Sequence, residues 1–189
     1  MRRRDFIRLL GVGAALPLAT RAQQAMPIIG LLSSASSRDY APMIAGFRKS
    51  LGEAGFVEGQ NVKIEYVWGD EQYDRLPALA ADLVRHQVSV IVAATTPAAL
   101  ALKPATTTIP IVFAIGGDLV RTELVDSLNR PGGNLTGAAH INVETAPKRL
   151  ELMHELMPNV KIAGLLANPT SPLAKSVVAA VQAAASSLG

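Results

Sequence analysis

Small polar residues follow the apolar segments of this chain at positions where a solute could be bound. In an open parallel sheet, ligands gather beyond the carboxyl ends of the strands, because the loops there expose backbone N–H groups and helix N-termini. A hydrogen-bonding rim at those ends is the chemistry that these residue types support. The residues at the predicted strand ends are Ser33, Ser34, Ser36, Trp68, Thr95, Thr96, Gly116, Asp118 and Asn168.

Each of these positions also has a purely structural interpretation. The serines at 33–37 form a loop in the simplest interpretation, and Thr95 and Thr96 before Pro97 fit the first turn of a helix. Asp118 is suited either to cap the following helix or to pair with a ligand ammonium group. Trp68 either packs on the surface or provides a stacking platform. The sequence alone leaves these alternatives open.

Catalytic and metal chemistry find little support in the sequence. The chain has no cysteine, which excludes disulfides, thiolate metal sites and a cysteine nucleophile. His86, His140 and His154 are scattered without metal-ligand spacing. Neither a Gly-x-Ser-x-Gly nor a Gly-x-x-x-x-Gly-Lys motif occurs. We therefore expect neither an enzyme nor a cofactor.

Alternating strand-like and helix-like segments organise the first part of the chain. Apolar runs of strand length occupy residues 27–32, 88–94 and 109–115, and residues 61–68 alternate polar and apolar side chains, as a strand near the sheet edge would. Residues of helical period follow the first three of these four segments along the chain. Such βα units in series predict an α/β fold with a parallel sheet, right-handed crossovers and helices on both faces.

A second series of elements follows the turn-forming residues 129–134. It comprises a strand at 135–140, a helix with Ala146, Leu150, Met153 and Met157 on one face, a strand at 161–167 and a final helix. We interpret residues 27–137 as a first α/β lobe and residues 138–189 as a crossover and partial second lobe. The alternative is a single domain of five or six strands.

The first 22 residues resemble a twin-arginine signal peptide. Arginines at 2, 3, 4 and 8 precede a short apolar run at 9–19, and small residues follow at Thr20 and Ala22. A membrane-spanning helix needs about 20 apolar residues, which is more than this run supplies. We predict cleavage near Ala22 and delivery to the periplasm. A basic arm that binds acidic partners is the alternative.

The positive net charge of the chain, +3, comes from this leader. Residues 1–22 hold five arginines and Asp5, so 13 basic and 14 acidic residues remain in the rest of the chain. No basic patch with interleaved aromatic residues is left, and we therefore expect no nucleic-acid partner.

Four separated segments resemble the family of ABC transporter substrate-binding proteins. They are residues 47–66, residues 76–84, residues 109–113 and the stretch that begins Asn129-Arg130-Pro131-Gly132-Gly133-Asn134 and ends at Gly137. They occur in the right order and extend over nearly the whole chain after the leader. The resemblance implies a type I periplasmic binding protein, in which two Rossmann-like lobes close on a small ligand. It also implies that the second lobe is truncated here.

The resemblance implies the function and the binding residues as well. The ligand-facing residues carried over by position are Ser33, Ser34, Thr95, Thr96 and Asp118 in the first lobe and Asn168 in the second. The chain would then be the periplasmic component of an ABC importer, a monomer that binds a small solute such as an amino acid and docks on a membrane permease. An exported α/β hydrolase and a sensory ligand-binding lobe are the alternatives.

Overall fold

Five parallel strands form one sheet in this computed structural model, which describes residues 26–120, 122–140, 143 and 145–188. The strand order is β2-β1-β3-β4-β5, so the chain winds outward in both directions from β1. The predicted signal peptide lies outside the described residues. The parallel α/β fold expected from the sequence is confirmed. The strands are β1 (Ile28–Ser33), β2 (Lys63–Trp68), β3 (Val90–Ala93), β4 (Ile111–Gly116) and β5 (Leu135–His140).

Helices connect the first four strands and follow the last one. A single 3₁₀ turn at Tyr73–Arg75 leads into the second helix. The helices predicted from apolar periodicity are present, but the helix expected after Asp118 is not formed, since the described residues between β4 and β5 are in turns and bends. The helices are α1 (Ala41–Glu53), α2 (Leu76–Arg85), α3 (Thr96–Ala105), α4 (Ala146–Leu156) and α5 (Ala174–Leu188).

The buried core lies on both faces of the sheet. Because side chains alternate along a strand, Ile91 and Ala93 of β3 point to one face and Val90 and Val92 to the other. The first face is the larger core and packs against α2 and α3. The second packs against α1 through residues such as Phe47. Helices cover both faces of the central strands, whereas Val112 and Ala114 of β4 and all of β5 after Leu135 are exposed.

The outermost strand, β5, fits against β4 only because of a glycine. Gly137 lies opposite Phe113 in the parallel register. A Cβ atom placed on Gly137 would lie 2.0 Å from the Phe113 carbonyl oxygen, so any side chain there would push the strands apart. This contact gives a physical reason for the glycine at the end of the 129–137 segment.

The two ends of α1 differ in how well the sequence predicts them. Gly55 closes the helix in a left-handed conformation, with φ of 86°, and the Phe56 N–H donates to the Leu51 carbonyl at 2.8 Å. This is the Schellman arrangement expected of a glycine at that position. Asp39 is of a residue type that favours the N-cap position, but Tyr40 occupies that position, and the Asp39 carboxylate accepts a bond from Ser36 Oγ instead.

The strand predicted at residues 161–167 is not formed. These residues carry no regular secondary structure, and Ile162 and Leu166 are 87% and 99% exposed. A parallel strand needs a neighbour for its backbone N–H and C=O groups, and among the described residues none pairs with this segment. The segment runs instead along an open apolar space of about 1030 Å³ between α4 and α5.

A membrane-spanning element is also absent from the part of the chain that the structure describes. None of the described helices combines the length and the hydropathy that a bilayer crossing requires.

Candidate functional site

Three hydroxyl-bearing residues meet at the carboxyl ends of β1 and β3. The Ser34 N–H donates to Thr95 Oγ1 at 3.0 Å, which links the loops that follow the two strands. The Ala35 N–H donates to Ser33 Oγ at 3.1 Å, and Ser33 is completely buried. The structure therefore brings together Ser33, Ser34 and Thr95, which the sequence placed at separate strand ends.

Thr96 extends this hydroxyl cluster to β4. Its Oγ1 donates to the Gly116 carbonyl at 2.8 Å, and the residue is buried. Thr95 holds the N-cap position of α3, but its side chain makes no capping bond to the helix. Its hydroxyl instead accepts the bond from the Ser34 N–H in the loop after β1. The four predicted residues of this rim therefore tie the ends of three adjacent strands to one another.

The rim hydroxyls have their hydrogen-bonding needs largely met within the protein. No buried side-chain nitrogen or oxygen atom of the described residues lacks a hydrogen-bond partner. Buried polar groups that are already paired hold loops in place at low energetic cost. These side chains therefore set the shape of the rim. Ser33 and Ser34 are buried, whereas Thr95 is only half-buried.

Asp118 lies at the end of β4 beside a cavity of about 270 Å³. Its Oδ1 accepts a bond from the Val120 N–H at 3.0 Å, so the carboxylate is oriented by its own turn. Among the described residues of the cavity wall, Asp118 carries the ionisable side chain, and the others carry hydroxyl or apolar groups. The lining residues are Leu100, Asp118, Thr122, Val143, Pro172, Leu173 and Ser176.

Asn168 approaches the first lobe from the other half of the described chain. Its Nδ2 donates to the hydroxyl of Tyr73 at 3.4 Å. The Asn168 Oδ1 accepts bonds from the N–H and the hydroxyl of Thr170, at 3.0 and 2.8 Å. Asn168 is exposed and lies apart from the hydroxyl cluster, with which it shares no hydrogen bond in the described structure.

Three aromatic rings line the end of β2. Tyr66 and Trp68 point to the same face of the strand and stack with centroids 6.3 Å apart, and Tyr40 tilts against Trp68 at the same distance. The Tyr40 hydroxyl donates to the Ala94 carbonyl at the end of β3. Arg48 covers the outer face of Tyr66, 5.1 Å from the ring centroid. Trp68 is therefore packed between two tyrosines, as the structural interpretation expected.

Burial changes the acidity of all three tyrosines of the chain. Loss of solvation raises the pKa of Tyr40, and it is the main cause of the raised pKa of Tyr66 and Tyr73. The nearby Glu71 adds to the effect on the pKa of Tyr73, and the bond from Asn168 opposes it. The hydroxyls are thus held as neutral donors and acceptors at the edge of the sheet.

Sequence reasoning missed Tyr73, Gly117 and Leu173. Tyr73 comes five residues after β2, and Gly117 follows β4 directly, so the rule of the carboxyl edge applies to both. Nothing in the sequence pattern pointed to Leu173. It touches Gly117 across a separation of 56 residues that no local pattern reveals.

Metal binding and acid–base catalysis find no support among the described residues. They hold no group of three potential ligands from histidine, aspartate or glutamate side chains. His86 pairs with the Glu65 carboxylate and not with a rim serine. A serine nucleophile would need a histidine within hydrogen-bonding reach.

The sequence of this chain matches a known protein family and a curated relative. The family model "ABC transporter substrate binding protein" matches residues 29–189. A curated relative, the tyrosine-binding protein of Clostridioides difficile, is 34% identical over 124 residues, which are 65% of this chain and 35% of the relative. Residues 29–189 include every predicted binding residue.

Solved structures agree with the sequence comparison. A Streptococcus pneumonia ABC domain in complex with L-Trp is 30% identical with a TM-score of 0.76, covering 86% of this chain and 54% of that one. The Thermotoga maritima leucine-binding protein LivK shares the fold at 14% identity, with a TM-score of 0.63 over 87% of this chain and 46% of that one. The chain thus spans about half the length of these solved proteins.

The sequence match and the shared sheet lead to one conclusion. The resemblance drawn from four segments is confirmed by a family model that extends over most of the chain. The type I periplasmic binding protein fold is confirmed by the solved relatives. This chain belongs to the family of ABC transporter substrate-binding proteins.

Proposed function

We propose that this chain is an exported solute-binding component of an ABC importer, with an amino acid as its ligand. The observation that carries the proposal is the rim itself: loops of three adjacent strands are linked by hydroxyls, and Asp118 lies next to a cavity. A rigid rim of this kind presents fixed backbone groups to a small solute. Tyrosine and L-Trp appear in the names of two relatives at 34% and 30% identity, which supports an amino acid.

The roles of the predicted residues follow from where they lie. Asp118 would accept the ligand ammonium group, because among the described lining residues it carries the negative charge, and a charged acceptor suits an ammonium donor. Thr95 would offer its partly exposed edge to the ligand, and Ser33, Ser34 and Thr96 would hold the loops. Asn168 would act from the opposite half. We infer binding without turnover, since among the described residues no rim hydroxyl is hydrogen-bonded to a side-chain base.

The division of the chain is part of the same proposal. Residues 27–137 would form the first lobe and residues 138–189 the crossover and the start of a second. Residues 1–22 would direct a twin-arginine export and be cleaved near Ala22, giving a periplasmic monomer that meets a permease in the inner membrane. The solved relatives, of which this chain covers about half, support a two-lobed arrangement.

A thermal-shift titration of the 189-residue chain tests the proposal. We expect L-tyrosine, L-tryptophan or L-leucine to raise the melting temperature, because a ligand at 100 times its Kd stabilises the folded state by about 2.7 kcal/mol. Tyramine and 3-(4-hydroxyphenyl)propionate are the matched controls, since each lacks one charge of tyrosine. No shift with any of the common amino acids at millimolar concentration, or chemical conversion of any of them, would contradict the proposal.

A further inference from the structure

One face of the sheet is only partly covered by helices. Val112 of β4 lies beside Val92 of β3 in the parallel register, so both side chains lie on the face against which α1 packs. Ala114 follows two residues later and shares that face. Thr136 and Ala138 of β5 are the partners of these two β4 residues in the register and lie on the same face. All four of these β4 and β5 side chains are exposed, and we call them the open face.

The open face has the composition of a surface that is normally buried. None of its four side chains is charged, and Val112 is 40% exposed although its neighbours in β4, Ile111 and Phe113, are buried. Parallel sheets are normally covered by helices on both faces. An apolar segment of helix size lying beside α1 would complete that layer over β4 and β5.

The leader contains an apolar segment of suitable length. Residues 9–19, which lie outside the described residues, have no charged or polar side chain. The part before Pro17, residues 9–16, would be about 12 Å long as a helix. The six residues of β4 span about 20 Å. The run therefore fits on the open face without projecting beyond the ends of the strands.

The connection from the leader to β1 has the reach and the direction that this contact needs. Residues 20–27 span up to about 27 Å when extended. In the sheet, β1 and β5 are three strand spacings apart, which is about 14 Å. A helix antiparallel to the strands ends at the amino edge of the sheet, where β1 begins. The helices α1, α2 and α3 each lead into the next strand of this parallel sheet in that way.

We propose that the apolar run of the uncleaved leader seats on the open face and completes the helical layer beside α1. The open face forms only when β4 and β5 pair, so folding would withdraw the run from lipid surfaces, and cleavage near Ala22 would release it. This consequence for export rests on the proposed function of the leader. The contact itself does not, because it lies within one chain and involves neither a solute nor a translocation step.

Hydrogen exchange of the leader amides tests the contact directly. The full chain is synthesised in a cell-free extract without membranes, so that the leader stays attached. We expect the amides of residues 9–16 to exchange at least about tenfold more slowly than in an isolated peptide of residues 1–22. The protection should stay the same on tenfold dilution of the protein. Exchange as fast as in the peptide would overturn the proposal, and so would protection that is lost on dilution, since the leader would then bind a second copy.

Charged substitutions show whether the open face provides the protection. Ala114→Lys places a charge in the middle of the open face and should abolish it. Ala81→Lys is the matched control, because Ala81 is an exposed alanine on α2, which packs on the opposite face of the sheet, and the protection should remain. Val12→Asp changes only the leader and should also abolish the protection, so the test holds even if Ala114→Lys does not fold. Protection that survives Val12→Asp, or a folded Ala114→Lys chain, would contradict the contact.

Disulfide trapping locates the leader on the surface. The chain has no cysteine, so Val12→Cys combined with one further substitution gives a single possible pair within each molecule. We expect Ala114→Cys to form that bond under mild oxidation at least about tenfold faster than Ala81→Cys, because only close Cβ atoms can be bridged. Leu166→Cys probes the other apolar surface, since Leu166 is 99% exposed beside the space between α4 and α5. Faster trapping by Leu166→Cys than by Ala114→Cys would place the run on that surface and overturn the proposal.

Discussion

The backbone N–H of Ser34 and the hydroxyl of Thr95 join the ends of β1 and β3 across 3.0 Å, although 61 residues separate them. Ser34 is nearly fully buried, so its N–H has no access to water. This bond fixes the spacing of the two loops most central to the rim.

Thr95→Val removes the acceptor of that bond while keeping the shape of the side chain. A buried donor left without a partner costs about 1–3 kcal/mol, so we expect a loss of unfolding free energy of that size in urea denaturation. Thr95→Ser keeps the hydroxyl and should lose less. Because Thr95 makes no capping bond to α3, equal losses in both variants would show that the Ser34 contact is not the cause.

Asp118→Asn tests the ammonium contact of the proposed binding function. The amide keeps an oxygen for the Val120 N–H but removes the charge, and a hydrogen bond to a charged group contributes about 1.5–3 kcal/mol. We expect L-tyrosine to bind at least about tenfold more weakly by isothermal calorimetry. Binding of 3-(4-hydroxyphenyl)propionate, which has no ammonium group, should weaken far less. An equal effect on both compounds would rule out Asp118 as the ammonium acceptor.

Two glycines of the first lobe should respond to alanine with opposite signs. A Cβ on Gly30 in β1 would lie 3.0 Å from Leu83 Cδ2 and 3.3 Å from Val88 Cγ2, so Gly30→Ala overpacks the core and should cost about 1–3 kcal/mol. Gly46 is exposed in α1 with nothing within 4 Å, so Gly46→Ala should stabilise the protein by about 0.5–1 kcal/mol. If urea denaturation showed that Gly30→Ala and Gly46→Ala change the unfolding free energy in the same direction, this description of the packing would be contradicted.

The three tyrosines should make the protein sensitive to high pH. Their folded-state pKa values are raised above the ordinary value of 10.0, so the unfolded chain loses these protons first as the pH rises. The stability that they contribute is complete below that value and is lost as the pH passes through the raised pKa values. Absorbance at the tyrosinate band should report titration above the ordinary range.

Tyr40→Phe separates one of these contributions from the others. Ionisation of Tyr40 would also remove its donor bond to the Ala94 carbonyl. The variant should be less stable at neutral pH and should lose less stability on going to alkaline pH. A parallel loss in the variant and in the unmodified chain would show that Tyr40 does not contribute to the alkaline transition.

The leader can be tested by exchanging arginine for lysine at positions 2, 3 and 4. Lysine keeps the positive charge that any signal peptide needs, but the twin-arginine route reads arginine itself. We expect the unmodified chain to reach the periplasm as a form that begins after Ala22 and the triple variant to stay inside the cell. Fractionation and N-terminal sequencing measure both outcomes. Equal export of the two forms would indicate the general secretory route.

The sheet was predictable because its strands are locally marked. Each of the five, from Ile28–Ser33 to Leu135–His140, is a short run, apolar or alternating, next to turn residues, and the structure places all five within two residues of the expected positions. Gly55 likewise carries its helix-ending role in its own chemistry. Such features depend on residues that are adjacent in the sequence, so a local pattern is enough to predict them.

Other features depend on partners that the sequence does not identify. Residues 161–167 have the composition of a strand, but composition does not provide a neighbouring strand to pair with, and Leu166 is almost fully exposed. The rim hydroxyls were predicted by position, whereas their internal bonds, such as Thr96 to Gly116, follow from the spacing of the strands. The roles of the six predicted binding residues stay a prediction.

The packing of Trp68 between Tyr40 and Tyr66 gives the protein an optical property. Trp68 is the single tryptophan of the chain, and both rings lie 6.3 Å away by centroid. At that separation, the excitation energy of either phenol ring is transferred to the indole before the phenol can emit. The folded protein should therefore fluoresce almost entirely as tryptophan when excited at the tyrosine band, and tyrosine emission should emerge as β2 and α1 separate during unfolding.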